Sequence, residues 1–528
     1  MLLVGEFRRL FTCSHKFERV LELNMSYIRK GWTRLIGTLS FIFALVWLIN
    51  LFDGEGFLPE NQTPLSAIFI FVGLGIIGLS VAFRQKIPWN KMFRVTFKFR
   101  WIVFLIGLVI QVIVVVYGSS YYGADAGIIL NIAQGKVGYL TDSYFLFYPN
   151  NLVVLFLYKV FDVLFGHSSV VLMLNLFNIL IVDATFIYFT HLAKKILSRI
   201  GYAVAFYLFL FAVTVTPYIL TPYSDTLVLP FVLMLIDIGI RIMDVNGKVK
   251  GLMLSVVFGL VSTITMLIKP SAVIPVFAFF LVLFLFKLQK ANFFTIVLIL
   301  FGFGAGFIAT DYASSQVREA QTIVKTDPNQ AFPLTHFMMI GVNYYGGYTP
   351  EDFQITKSVS GKSAREKLNI EVIKMRLKQR GVDGYLQFLL LKERNNTSSG
   401  TYSMGSELWV TKDYQGLKNK KMTADIEKYL YPDGEEVIIY KLWAQIIFVI
   451  VAFGVLASSW KSVENRDLLE HWLQLSVLGG ILFLLLFEGG RSRYLMQFMP
   501  VIILVSSYGY QYIGEKLYVK RNDRSEIN

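Results

Sequence analysis

Two carboxylates, Asp125 and Asp142, stand in the stretch 121–151, YYGADAGIILNIAQGKVGYLTDSYFLFYPNN, directly after an apolar run that ends near Tyr117. A bilayer penalises an unpaired carboxylate heavily, so acids beside a span call for a function. Asp125 lies between Gly123 and Gly127, where backbone can approach a ligand closely. The following IILNIA reads as a short interfacial helix with Asp125 at its positively polarised N-terminus, and the alternative role for the residue is a helix cap. Asp142, in a more polar stretch, reads first as a turn residue and second as a substrate contact. Further polar groups fall at the ends of apolar runs: Ser224-Asp225, Lys269, His336 in FPLTHFMMIGVNYYGGY, and Glu488, Arg491, Arg493 and Tyr494 in EGGRSRYL. Arginine offers phosphate a bidentate fork and lysine a point charge. Together such cations stabilise a phosphate leaving group as its charge develops. Lys269 taken alone also fits a snorkelling anchor, and Glu488 an ion-pair partner for Arg491.

The elements that must position these groups are membrane spans. Of 528 residues 55% are hydrophobic and 16% aromatic, with a mean hydropathy of +0.56, which makes the chain a polytopic membrane protein. Apolar runs near 34–52, 65–83, 101–118, 168–190, 201–217, 224–243, 251–268, 272–287, 292–310, 438–458, 470–488 and 494–515 predict about 12 transmembrane helices. The loops that this division assigns to the cytoplasm hold 27 Lys or Arg, against 5 in the short opposing loops. By the positive-inside rule both termini are cytoplasmic, and Asp125, Asp225, Lys269, His336 and Glu488 share the outer face. The predicted organisation is a cytoplasmic tail (1–33), two accessory helices with a basic loop (34–100), a transmembrane core (101–310) with a first outer loop (119–167), an extracytoplasmic domain of mixed or mainly helical structure (311–437), C-terminal helices (438–515) and a basic cytoplasmic tail (516–528). Within the first outer loop, LVVLFLYKVFDVLF is too short and interrupted for a span and reads as an interfacial amphipathic helix.

Several function classes drop out. The excess of 50 Lys and Arg over 36 Asp and Glu lies mainly in short loops, as a topology signal does, so it argues for no nucleic-acid partner. Cys13 is the single cysteine, which excludes a disulfide framework and Cys-ligated zinc. The basic first 32 residues lack the apolar core and cleavage site of a secretory signal, and Met25 is an alternative start. His336, Asp125 and Asp225 match no metal-ligand spacing, so no metal site is assigned. Two acids fall inside spans: Asp237, with Arg241 four residues on, reads as a helix ion pair, and Asp183, without a local partner, is the residue a transporter or flippase would need.

The blocks GADAGIILNIAQG, YFLFYPNNL, PYSDT, PLTHFMMIGVN and EGGRSRYLMQFMP resemble those of the GT-C glycosyltransferases, near the protein O-mannosyltransferases, the aminoarabinose lipid A transferases and Gram-positive proteins that modify wall polysaccharides. The resemblance covers about 101–515. It implies an all-α GT-C-like fold and inverting transfer of a sugar from a polyprenyl-phosphate donor to a cell-envelope acceptor, a wall polymer or glycolipid, on the outer face. On that reading Asp125 is the base, His336 orients acceptor or phosphate, and Lys269, Arg491 and Arg493 hold the phosphate, with Asp142, Asp225, Glu488 and Tyr494 as further substrate contacts. Mannosyltransferases carry an Asp-Glu pair where this chain has Asp125-Ala126, so the second acid is missing. A ligase that moves a whole lipid-linked polymer, of the teichoic acid type, fits the same outer site.

Overall fold

The computed structural model describes residues 29–52, 89–136, 138–287, 293–404, 410–461 and 467–525. Crossing ~30 Å of hydrocarbon at 1.5 Å per residue takes about 20 helical residues. Among the described residues eight helices are long and apolar enough: α1 (Arg29–Phe52), Arg94–Gly118 within α2 (Trp89–Gly118), α6 (Val170–Ile196), α8 (Ser224–Asp244), α9 (Lys248–Ile268), Phe294–Ala320 within α11 (Phe293–Ala320), α16 (Val437–Ser459) and α17 (Leu468–Phe487). The chain is thus a multi-pass integral membrane protein built of helices. The expected span 65–83 lies outside the described residues, as do Cys13 and Met25.

The other three expected spans are helical but are not simple crossings. The run 201–217 becomes α7 (Arg199–Phe209), which widens into a π turn at Leu210–Thr214 and ends before a 3-10 turn at Pro217–Leu220. The run 272–287 becomes a 3-10 turn at Pro270–Val273, α10 (Ile274–Val282) and a π turn at Leu283–Lys287; Pro270 and Pro275 withhold backbone donors and break its start. The run 494–515 becomes a 3-10 turn at Ser492–Phe498 and α18 (Met499–Ser525). Val501, Ile502, Ile503 and Leu504 of α18 are buried, so this helix is solvated by protein rather than by lipid.

Lipid tails are as apolar as leucine, so helices associate here by close packing of small residues. A Cβ on Gly306 of α11 would lie 2.0 Å from the Val256 carbonyl oxygen of α9, and one on Gly259 would lie 2.1 Å from that of Phe303. The same contact joins α16 to α18, where a Cβ on Gly509 would lie 1.9 Å from the Gly454 carbonyl oxygen.

At one end of the bundle α2 leads into β1 (Ser120–Tyr122), α3 (Ala124–Ala133), α4 (Tyr139–Phe147), a 3-10 turn (Pro149–Asn151) and α5 (Leu152–Phe165). Fourteen residues give α5 about 21 Å, too little to cross; it buries Leu152, Val154, Leu155 and Tyr158 and exposes Val160, Val163 and Leu164. Asp142 lies on α4, so it occupies a helix rather than a turn.

Because α11 runs to Ala320, the polar segment begins at 321, not 311. It comprises α12 (Leu334–Gly341), α13 (Pro350–Lys357), α14 (Lys362–Thr397, bent at Gly381 with φ 63°), β2 (Val410–Tyr414) and α15 (Lys420–Leu430). These elements are stitched to the bundle. β2 pairs antiparallel with β1, with Ser120 opposite Tyr414 and Tyr122 opposite Val410. Phe332 N–H donates to the Phe147 carbonyl at 3.0 Å, Gly490 N–H to that of Gly346 at 2.7 Å, and the buried Tyr402 hydroxyl to that of Ala212 at 2.6 Å. The deepest anchors are adjacent on α14. The buried Lys392 ammonium donates to the carbonyls of Gly341 and Leu485, each at 2.8 Å, thereby holding α12 and α17 together. Burial pushes Lys392 down to about 8, opposed by the nearby Glu488 charge.

Glu393 is buried too, and burial pushes its carboxyl up to about 8, opposed by the nearby Asn396 amide. Its folded pKa therefore lies above the unfolded one, near 4.5. The neutral acid is tolerated at low pH, and stability is lost as pH rises through that interval. Thermal unfolding of the purified protein should fall between pH 6.5 and pH 8, and Glu393→Gln should flatten the decline; an unchanged slope would remove Glu393 as its source.

Candidate functional site

The site is built where the start of α8, the end of α9 and the 489–498 segment meet, and α3 is coupled to it through Tyr223, which feels the charges of both Asp125 and Asp225. Gly127 must be glycine, because a Cβ there would lie 2.3 Å from the Tyr122 carbonyl oxygen. Gly123 precedes α3 without a side-chain cap, and Ala124 takes the left-handed region (φ 48°), uncommon for a residue with a Cβ. These two residues turn the chain sharply from β1 into α3, so that Asp125 falls in the first helical turn. It is not a cap. Its half-buried carboxylate makes no hydrogen bond or ion pair among the described residues.

Four tyrosines lie within electrostatic reach of that carboxylate. Burial raises the hydroxyl pKa of Tyr144, Tyr148, Tyr223 and Tyr348, and the Asp125 charge raises each further, so all four remain protonated donors. Asn151 links two of them: its amide donates to the Tyr144 hydroxyl at 2.6 Å, and its carbonyl accepts from the Tyr223 hydroxyl at 3.3 Å. Tyr148 is partly exposed and Tyr348 is 55% exposed, which leaves aromatic surface open beside the acid.

Below Tyr223 lies a charged cluster. Asp225 is fully buried and pairs through Oδ1 with the Lys269 ammonium, while its Oδ2 accepts from the Tyr218 hydroxyl at 2.8 Å. Arg493 is also buried; burial works against its charge, and the neighbouring Asp225 supports it. The Tyr494 ring lies under both cations, with the Lys269 ammonium 5.3 Å and the Arg493 guanidinium 5.1 Å from its centroid. Burial raises the Glu488 carboxyl, and Lys269, Arg493 and Lys392 pull it back. Arg491 is half-buried and tied by its backbone N–H to Asn396 Oδ1 at 3.0 Å. The cluster therefore joins Asp225 and Glu488 to Lys269 and Arg493, which share the Tyr494 ring, and Tyr223 feels the charges of both Asp125 and Asp225.

The structure thus brings Asp225, Lys269, Glu488, Arg493 and Tyr494 together and sets Asp125 beside them, but it places His336 elsewhere. The His336 ring is buried against Phe332 (centroids 4.2 Å apart) and Tyr148 (6.5 Å). Thr356 donates its hydroxyl proton to Asn369 Oδ1 at 2.9 Å, so His336 Nδ1–H must donate to Thr356 Oγ1 at 2.7 Å, leaving Nε2 as a bare acceptor. Burial lowers its pKa to about 4, which keeps the ring neutral. His336 therefore stands behind Tyr148 and does not gather with Asp125 and Asp225. Among the described residues no group of three His, Cys, Asp or Glu side chains is placed to hold a metal ion.

Asn151 and Tyr223 were not singled out from the sequence, although YPNN and PYSDT contain them, and neither was Tyr218, seven residues before Asp225; an uncharged residue gives no independent signal of its own. Lys392 was hidden in a charged helix. Toward the other end of the bundle Asp237 accepts from Arg241 at 2.6 and 3.1 Å and from Tyr188 at 3.1 Å, forming the expected ion pair. Asp183 does have a partner, Gln111 on α2, whose amide lies 3.3 Å away.

A family model described as a conserved hypothetical integral membrane protein matches residues 20–513. The chain belongs to that family. Among solved structures, the apo crystal structure of ArnT from Cupriavidus metallidurans is similar at 10% identity and a TM-score of 0.29, over 78% of this chain and 77% of that one. No curated protein matches the chain.

Removing one partner of a buried ion pair strands the other, typically at about 3–5 kcal/mol, whereas removing both costs far less. Asp225→Asn and Lys269→Met should each lower the melting temperature strongly, and the double variant should recover most of the loss. Additive losses would mean that the two groups do not stabilise each other.

Proposed function

We propose that this protein is a membrane glycosyltransferase that moves a sugar from a polyprenyl-phosphate donor to a cell-envelope acceptor on the outer face of the membrane, with inversion. The observation that carries the reading is the contrast between two acids. Asp225 is fully engaged by Lys269 and Tyr218, while Asp125 is half-buried, without a hydrogen bond or ion pair among the described residues, and close enough to four tyrosines to act on them electrostatically. A carboxylate of that kind is available as a base within hydrogen-bond reach of a substrate hydroxyl. Tyrosines offer flat apolar faces for a sugar ring and hydroxyls for its oxygens.

In the proposed reaction the acceptor hydroxyl gives its proton to Asp125 as its oxygen attacks the anomeric carbon. The bond from that carbon to the phosphate oxygen breaks on the opposite face, and the electron pair leaves with the phosphate. Phosphate is a good leaving group and needs cations rather than a general acid. Arg493 and Lys269, the former beside Tyr218 and Tyr223, receive that charge in a water-poor setting, and Arg491 stands next to them. The missing second acid agrees with this assignment, because a phosphate leaving group requires no proton. Asp225 and Glu488 hold the cations in place. Transfer of a whole lipid-linked polymer to a glycolipid uses the same bond changes and differs only in the size of the donor.

The test is transfer from polyprenyl-phosphate sugars by the purified protein in lipid nanodiscs. Asp125→Asn should reduce turnover by at least about 10²-fold with an unchanged melting temperature, and Asp183→Asn should leave it near wild type. Full transfer by Asp125→Asn, or loss of cellular function confined to Asp183→Asn, would overturn the enzyme reading in favour of a flippase.

A further inference from the structure

The end of the bundle opposite Asp125 carries a feature that glycosyl transfer does not use. The last turns of α6 and α8 and the first turns of α9 enclose a cavity of ≈440 Å³ lined by Lys195, Arg241, Asp244, Asn246, Lys250 and Leu254, among others. Three cations and one acid make the lining net positive. Lys195 and Lys250 have no hydrogen bond or ion pair among the described residues. Arg241 commits Nε and Nη2 to Asp237 Oδ2, which orients its fork and leaves Nη1 for a ligand. The buried Asp237 lies one turn deeper and holds Arg241 at the rim.

What the cavity opens onto identifies the ligand. Val249, Met253 and Val257, spaced four apart on α9, are 73%, 64% and 45% exposed, and Leu260 continues the stripe at 40%. Lys250 and Leu254 follow two of those residues directly in sequence, so the charged cavity and the apolar stripe share an edge. All the cations sit at helix ends, the level at which phosphate groups lie in a bilayer.

We propose that this cavity is a binding site for an anionic phospholipid. The phosphodiester sits between Lys195, Lys250 and Arg241, the acyl chains run along the α9 stripe, and Asp244 accepts from headgroup hydroxyls. A soluble phosphate ester has the same charged chemistry but no use for the stripe. A zwitterionic lipid fills the stripe and brings an ammonium next to two lysines.

Native mass spectrometry of the full chain in detergent, titrated with phosphatidylglycerol or phosphatidylcholine, tests the site. The wild type should retain phosphatidylglycerol in preference to phosphatidylcholine, and Lys195→Gln and Lys250→Gln should each weaken that retention roughly fivefold, leaving the double variant close to the phosphatidylcholine level. Equal retention of the two lipids by the wild type overturns the proposal without recourse to any variant, as does a correctly folded double variant with undiminished selectivity. Displacement of the lipid by equimolar glycerol 3-phosphate would assign the cavity to a soluble anion and overturn the lipid assignment.

Discussion

The buried pair of Asp225 and Lys269 is the constraint around which the polar end of the molecule is arranged. A carboxylate with no solvent exposure is tolerable only when its charge is met and its lone pairs are filled. Lys269 and Tyr218 do both, and in doing so they fix the start of α8 against the end of α9 and the 3-10 turn before it. Arg493 then enters the same field and draws in the turn that opens α18, while the Tyr494 ring sits under both cations. Lys392 plays the complementary part from the 321–436 layer, reaching carbonyls at the end of α12 and in the last turn of α17. Charges from distant parts of the sequence thus become one connected cluster, while Asp125 has no ion pair among the described residues.

That division explains why the two kinds of acid look alike in sequence and differ in the structure. Each is an aspartate near the end of an apolar run, and neither local pattern says which has a cation across from it. The charge count assigned these groups to one face of the membrane, because charged side chains at span ends have few places to go. Asp225, Lys269, Glu488, Arg493 and Tyr494 do meet. His336 shows the limit of the same reasoning: a histidine in a polar segment beside tyrosines suggests chemistry, yet the 350–369 region folds Thr356 and Asn369 around its Nδ1 and Phe332 against its face.

The fold was legible to a similar degree and for similar reasons. Long apolar runs gave helices with nearly the expected ends, since in lipid every backbone group must be satisfied within the segment. The exceptions were local: α7 and α10 end in π turns, and α18 carries polar residues where its neighbours shield it. The glycines of α9 and α11 were visible but mute, as their meaning depends on which helix lies opposite. The extent of the 321–436 layer was misjudged by ten residues because α11 continues as a polar helix beyond its apolar core.

The strand pairing that precedes α3 sets an order of assembly. β1 ends two residues before Ala124, and its partner β2 lies at 410–414, almost three hundred residues later. The early helices can enter the membrane as they are made, but the backbone that aims Asp125 has no hydrogen-bonding partner until most of the chain has left the ribosome. Closing so long a loop is slow and comes late. The half-made protein is thus an inserted bundle in which Asp125 is not yet aimed, and the polar end is complete only with the C-terminal segment that also delivers Arg493.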